Sequence, residues 1–379
     1  MTSRELVEAT IARRETSRVP LGLYAVDHDT VSRVIGRPTY VRNKVETQIA
    51  FWEGRRDEVV ESWKHDSVEF FRKIDCADLI LFKEAMLLPP KDYTPKPPRK
   101  IADNTWEMPD GRVFKANPDA NDIMCVKQPD RPPKEWSIGD FEDAGPPPVP
   151  DESEFEAFDH LLNELGDERY IACRAPIRPM PMLGSFEDAM MIYALQPDVI
   201  HAANRQMVRR GNAQDQVVTR PGVAGMFAEH DMAGTNGPFI SPDMWREMCL
   251  PYVKERVQHL KQYTSQVGLH CCGMTMPLMD MFIEAGIDYY QSLQTTAGMD
   301  LGVLKEKFGD DLTFWGGIPL ENLIDGTPED VRRDVRNAMR KGTPGGGFIL
   351  GPSHSIAYGT KYDNFMAMLD EFVNLRDRN

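Results

Sequence analysis

No stretch of this chain approaches the roughly 20 apolar residues of a membrane helix, and the mean hydropathy is −0.45. A membrane protein of the helical kind is therefore not expected. The opening MTSRELVEATIARRETSRVP lacks the apolar core of a signal peptide, so a cytoplasmic protein is expected. Basic excess is missing as well. With 44 Lys and Arg against 59 Asp and Glu, the formal charge is 44 − 59 = −15, which argues against a nucleic-acid surface. The six cysteines, at 76, 125, 173, 249, 271 and 272, show no framework spacing. Adjacent Cys271 and Cys272 make a poor disulfide pair, which points to a reducing compartment. No G-x-G-x-x-G follows the first apolar run, against an open, dinucleotide-binding sheet.

What is present is a regular alternation. Apolar runs suited to strands begin near 18, 77, 169, 223, 266, 288, 312 and 346, and each is followed by a helical pattern. Thr2 and Glu5 sit at capping-box spacing and open a first helix to about Arg14. A long helical pattern covers about Val45 to Lys73, and others cover Ser185 to about Arg210 and Ser241 to about Tyr263. Strand-helix alternation implies parallel pairing. Eight such units predict an α/β fold of the (β/α)8 TIM-barrel type, one domain over residues 1–379. The texture changes between Pro89 and Pro150, where proline and charge are dense. This segment, 89–150, reads as an irregular insertion after the second strand, on one rim, with a hairpin turning at Asp110-Gly111. A lid or an interaction surface is one expectation for it, plain decoration the other.

In such barrels the chemistry sits at the C-terminal ends of the strands. Those ends carry Asp27 and His28, Glu84, Glu229-His230-Asp231, His270 and Cys272, Gln291, Gly316-Gly317 and His354. His270 and Cys272 lie two apart at the end of an apolar run, in GLHCCG. On a strand they face one way while Cys271 faces the other. Imidazole nitrogen and thiolate sulfur are ligands that zinc prefers. A third ligand, from His354 or Glu229, would leave one position open for a substrate atom, the arrangement of a catalytic zinc. The blander reading of H-x-C is packing, with Cys272 a small buried residue.

The ordered blocks AEHDMAGTNGPFISPDMW, GLHCCG, IEAGIDYYQSLQ, LTFWGGI and GGGFILGPSHSI, from about Gly222 to Ile356, resemble the uroporphyrinogen decarboxylase superfamily. TSRELVEATIARRETSRVPLGL is also similar to that family's opening. Its decarboxylases use no metal and bind an acidic tetrapyrrole through an arginine-rich N-terminal motif; here the matching stretch is LGLYAVD. Its corrinoid-dependent methyltransferases carry an H-x-C pair as zinc ligands, matched by His270 and Cys272. Their thiol-methylating members add a cysteine in the last strand's loop, where this chain has His354.

The resemblance implies Zn2+ held by His270 and Cys272, while the departure from the family's cysteine leaves the third ligand open between His354, the first choice, and Glu229. It implies methyl transfer between a small molecule and a corrinoid (cobalamin) on a separate partner protein. O-demethylation of a methyl ether is the expected form. Glu84, Glu229 and Asp231 are candidates for acid or substrate-orienting work, and Asp27, His230 and Gln291 for substrate contact. A homodimer is a further expectation. Two other readings stand beside this one, a cofactor-free decarboxylase and a non-catalytic barrel that binds a small molecule.

Overall fold

The computed structural model describes residues 1–82, 86, 88–129, 134–142, 145, 147–178 and 180–377. Eight strands form the frame: β1 (Leu21–Leu23), β2 (Ala77–Leu81), β3 (Tyr170–Arg174), β4 (Gly225–Glu229), β5 (Val267–His270), β6 (Tyr289–Gln291), β7 (Thr313–Ile318) and β8 (Phe348–Pro352). Each pairs in parallel with its sequence neighbours, and β1 closes on β8 through Leu21 and Leu350. The expected (β/α)8 barrel is what forms. Parallel strands with helices outside are buried on both faces, which is why these runs read as continuously apolar rather than alternating.

Two apolar layers result. Helices pack on the outside of the sheet, and the barrel interior holds a separate cluster with Tyr24, Tyr170, Phe227, Tyr289 and Trp315. The N-terminal helix Ser3–Ile11, capped by Thr2 and Glu5 as expected, adds Val7 and Ile11 to that inner cluster. Large rings fit only where strands lack side chains. A Cβ on Gly268, in β5, would stand 2.4 Å from the Tyr289 ring and 2.5 Å from Phe227. Among the described residues, no helix is long and apolar enough to cross a membrane.

Several helical patterns prove to be two helices. The run expected over Val45 to Lys73 is Lys44–Trp52 and Arg56–Ile74, broken at Gly54. The next is Phe186–Leu195 and Pro197–Val218, restarted at Pro197. The third is Pro242–Met248 and Leu250–Leu260, with Pro251 in the first turn of the second piece. Proline suits a first helical turn because it lacks the amide donor that an interior position needs. One helix, His28–Ile35, follows β1 without having been expected.

The proline-rich segment holds more order than one hairpin. Its strands Arg99–Ala102, Thr105–Glu107, Val113–Asn117 and Asp122–Lys127 form a four-stranded antiparallel sheet. The expected turn at Asp110-Gly111 joins the second and third, with Trp106 opposite Phe114. Both rings pack on Trp52, at 5.7 and 5.8 Å between centroids. Asn121 fastens the sheet to the barrel rim. Its Nδ2 donates to the Arg42 carbonyl at 2.7 Å and to the Asp27 carboxylate at 3.3 Å.

Candidate metal centre

His270 is the last residue of β5 and is 2% exposed. Its register partner at the end of β6 is Gln291. The Gln291 Nε2 donates to the Pro352 carbonyl at the end of β8, at 3.2 Å. With its amide turned that way, Gln291 presents Oε1 to His270 Nδ1, and the two are hydrogen-bonded. A carbonyl oxygen can only accept, so the proton of neutral His270 sits on Nδ1 and the lone pair on Nε2. Tyr24, just past β1, stacks on the imidazole at 4.5 Å with planes 9° apart.

The lone pair meets sulfur. Cys272 Sγ lies 3.4 Å from His270 Nε2 and 3.4 Å from Ser292 Oγ, whose single proton it shares with the Ser353 carbonyl at 3.1 Å. Cys271 faces away, as alternation requires; it is wholly buried and accepts the Met232 amide at 3.2 Å. His354, two residues beyond β8, completes the group. The ligand atoms of His270, Cys272 and His354 all lie within 4.8 Å of one another. Tetrahedral zinc with bonds of about 2.3 Å to sulfur and about 2.05 Å to nitrogen has an N···S edge of about 3.6 Å. The 3.4 Å between His270 and Cys272 fits that edge, and the donor set of one thiol and two imidazoles suits zinc.

Without a cation Cys272 is a poor ligand. Burial, aided by the charges of Asp231 and Glu229 and opposed by the Ser292 hydroxyl, pushes its thiol up to about 11. A bound cation must displace that proton. Asp231 accepts the Cys272 amide at 2.8 Å and stands 3.8 Å from His270 Nε2, with its side chain 56% exposed. Ser292 pays for its position in backbone strain: φ is 142° there and 53° at Leu293. Such values are uncommon outside glycine and cluster at functional sites. A Cβ on Gly316 would stand 3.1 Å from the Ser292 carbonyl and from Leu293, so this glycine within β7 gives the turn its space.

The remaining expected site residues divide. His354, and not Glu229, lies with His270 and Cys272 in the group that could hold a metal ion. Glu229 lines a cleft beside it together with His230. The His230 Nε2 donates to the Met180 carbonyl at 2.8 Å, and burial holds its pKa below the usual histidine value. Gln291 was expected to touch substrate; it is instead fully buried, its amide spent on His270 and Pro352. Asp27 was expected to do the same. It is 3% exposed and occupied by Arg42 Nε at 2.7 Å, Asn121 and the Tyr358 amide at 3.1 Å. Glu84 lies outside the described residues. Tyr24 and Ser292 escaped the sequence reading, although both are polar residues at strand ends. An aromatic one step past β1 was the available signal for the first.

The profile of the uroporphyrinogen decarboxylase family matches residues 222–374. Over 129 residues the chain is 28% identical to a methylated-thiol–coenzyme M methyltransferase of Methanosarcina mazei. That match spans 34% of this chain and only 32%, about a third, of the relative. Among solved structures, a methyltransferase from Methanosarcina mazei superposes with a TM-score of 0.65 at 14% identity, over 99% of both chains. At that identity the likeness speaks for the fold alone.

Proposed function

We propose that this chain, whose residues 222–374 match the uroporphyrinogen decarboxylase family and which is 28% identical over 129 residues to a methyltransferase, is a zinc-dependent methyltransferase. It moves a methyl group between a small substrate and the corrinoid of a separate protein. The observation that carries this reading is the convergence of His270, Cys272 and His354 at the barrel mouth. Zinc held by these three supplies Lewis acidity toward a substrate oxygen or sulfur.

The chain's own residues prepare that chemistry. Gln291 keeps the His270 lone pair on Nε2. The Ser292 hydroxyl stabilises a Cys272 thiolate once the proton has left. Tyr24 covers one face of the imidazole and keeps water from it. One thiolate and two neutral imidazoles leave a divalent ion with one net positive charge, whereas two thiolates would leave none. That favours a methyl ether, whose weakly basic oxygen needs the stronger electrophile. In O-demethylation the C–O bond breaks, the methyl carbon passes to the corrinoid, and the electron pair stays on oxygen, which then takes a proton. Asp231 and Glu229 are the acids placed at this mouth to orient the substrate or relay that proton. A methylated thiol as donor is the second reading, favoured by the activity in the relative's name.

Metal analysis of the purified protein should find about one zinc per chain, lost on Cys272→Ala and on His270→Ala. X-ray absorption should show one sulfur and two nitrogens from the protein. Supplied with a reduced corrinoid protein, the enzyme should turn over a methyl ether faster than a thioether. Wild-type protein that takes up no zinc from a zinc-supplemented buffer would overturn the proposal.

A further inference from the structure

A cleft of about 850 Å³ opens beside the metal-binding group, between the loop after β3, the helix Pro197–Val218 and the prolines at 147 and 148. Its inner wall carries Glu229 and His230. Glu229 is the register partner of His270 across β4 and β5, and the His230 amide donates to the His270 carbonyl at 3.1 Å. The inner wall of the cleft thus borders the strand end that carries His270. Its volume lies in the usual range for small-molecule sites.

The lining combines two chemistries. Methionines 180, 182 and 207 and Ile177 make apolar walls, and Arg174, Arg178 and Arg210 supply three guanidiniums. None of the three forms an ion pair with a described residue. Arg56, Arg220, Arg256 and Arg336, by contrast, are each paired with a carboxylate. In a chain with 59 acids against 44 bases, this cleft gathers three arginines, Arg174 half-buried and Arg178 and Arg210 exposed, that share no ion pair with a described acid. The acids that also line it are otherwise placed. Glu154 caps its own helical turn by accepting the Asp151 amide at 2.8 Å, and Glu229 marks the metal end.

We infer that this cleft takes the small substrate as a carboxylate: an apolar, ring-sized body between the methionines, its carboxylate held by Arg174, Arg178 and Arg210. The planar guanidinium fork matches a carboxylate in two parallel hydrogen bonds, and the pairing strengthens next to apolar walls. Which end of the molecule faces the metal rests on the methyl-transfer reading; the binding itself does not.

The test is calorimetric titration of the full-length, metal-free protein with sodium benzoate and, separately, with benzamide, its uncharged isostere. Benzoate should bind saturably and at least about ten-fold more tightly than benzamide, as charged hydrogen bonds of this kind imply. Its affinity should fall as salt rises. In Arg174→Met and in the double variant Arg178→Met/Arg210→Met, benzoate binding should weaken about ten-fold or more while benzamide binding stays put. Thermal melts confirm that the variants fold. Equal affinity for benzoate and benzamide in the wild type overturns the inference, as does benzoate binding indifferent to both variants. Benzoate binding in a protein that takes up no zinc removes the proposed function and leaves this site standing. Zinc uptake and methyl transfer without arginine-dependent benzoate binding does the reverse.

Discussion

His270 is set from behind. Its Nδ1 is committed to Gln291, whose amide is turned by the Pro352 carbonyl, so the ligand nitrogen is chosen before any metal arrives. Groups that fix a ligating histidine in this way are worth about 10–100-fold in metal affinity. Gln291→Leu should weaken zinc binding by that order, read by chelator competition on variant that melts cooperatively. It should also cost stability, since the His270 N–H and the Pro352 carbonyl would each be left unsatisfied at about 1–3 kcal/mol. Unchanged zinc affinity in the folded variant would sink the positioning role. Cys272 yields a prediction with a sign in pH. Its thiol is raised to about 11 from an ordinary 9.0, so the neutral form dominates at pH 7. Alkylation of Cys272 in metal-free protein, followed by peptide mass spectrometry, should be slow at pH 7 and rise steeply toward pH 11. Zinc affinity should rise with pH over the same span, because each ion bound must expel that proton.

At the scale of elements, the helices Pro197–Val218 and Leu250–Leu260 are clamped by buried charge. Asp215 receives both terminal nitrogens of Arg256 at 2.7 Å, and both side chains are fully buried. His259 Nδ1 meets the same carboxylate at 2.7 Å. Removing one partner leaves an uncompensated buried charge, so Arg256→Met should cost about 3–5 kcal/mol in urea unfolding. Asp215→Leu combined with Arg256→Met should cost less than the sum of the single changes. The same pair shows why element boundaries were hard to read. Periodicity carried the helical patterns straight through Gly54, Gln196 and Cys249, because apolar spacing is nearly kept across each break. The marks of the breaks are single residues, Gly54 at φ 78° and the prolines 197 and 251 in first helical turns, which periodicity alone does not register.

For the whole molecule, closure depends on large rings meeting bare backbone. Gly268→Ala would drive a methyl into Tyr289 and Phe227 at 2.4–2.5 Å. Overpacking of this kind costs about 1–3 kcal/mol, to be seen as a lower midpoint in thermal or urea unfolding. Because β5 carries His270, zinc affinity should fall with it. The rim is also tied together globally. Asp27 from the end of β1, Arg42, Asn121 of the inserted sheet and the Tyr358 amide share one carboxylate, so the insertion is anchored where the site opens.

The barrel itself was legible because its cause is local and repeated: eight apolar runs, each followed by a helical pattern, admit few closed solutions. His270 and Cys272 were legible for a similar reason, since two residues on a strand share a face wherever that strand lies. What the chain alone left open was every choice made between distant strand ends. His354 comes within 4.8 Å of the His270 and Cys272 donor atoms and Glu229 is not in that group, although both follow strands and both offer a donor atom. Gln291, the last residue of β6, and Asp27, four residues past β1, are consumed inward by Pro352, His270, Arg42 and Asn121. Arg174, Arg178 and Arg210, 36 residues apart at most in sequence, come together only when the helix after β3 folds back over the loop. Spacing along the chain decides which way a side chain faces. Which group it meets is decided by closure of the barrel, which brings ends far apart in sequence to within one hydrogen bond of each other.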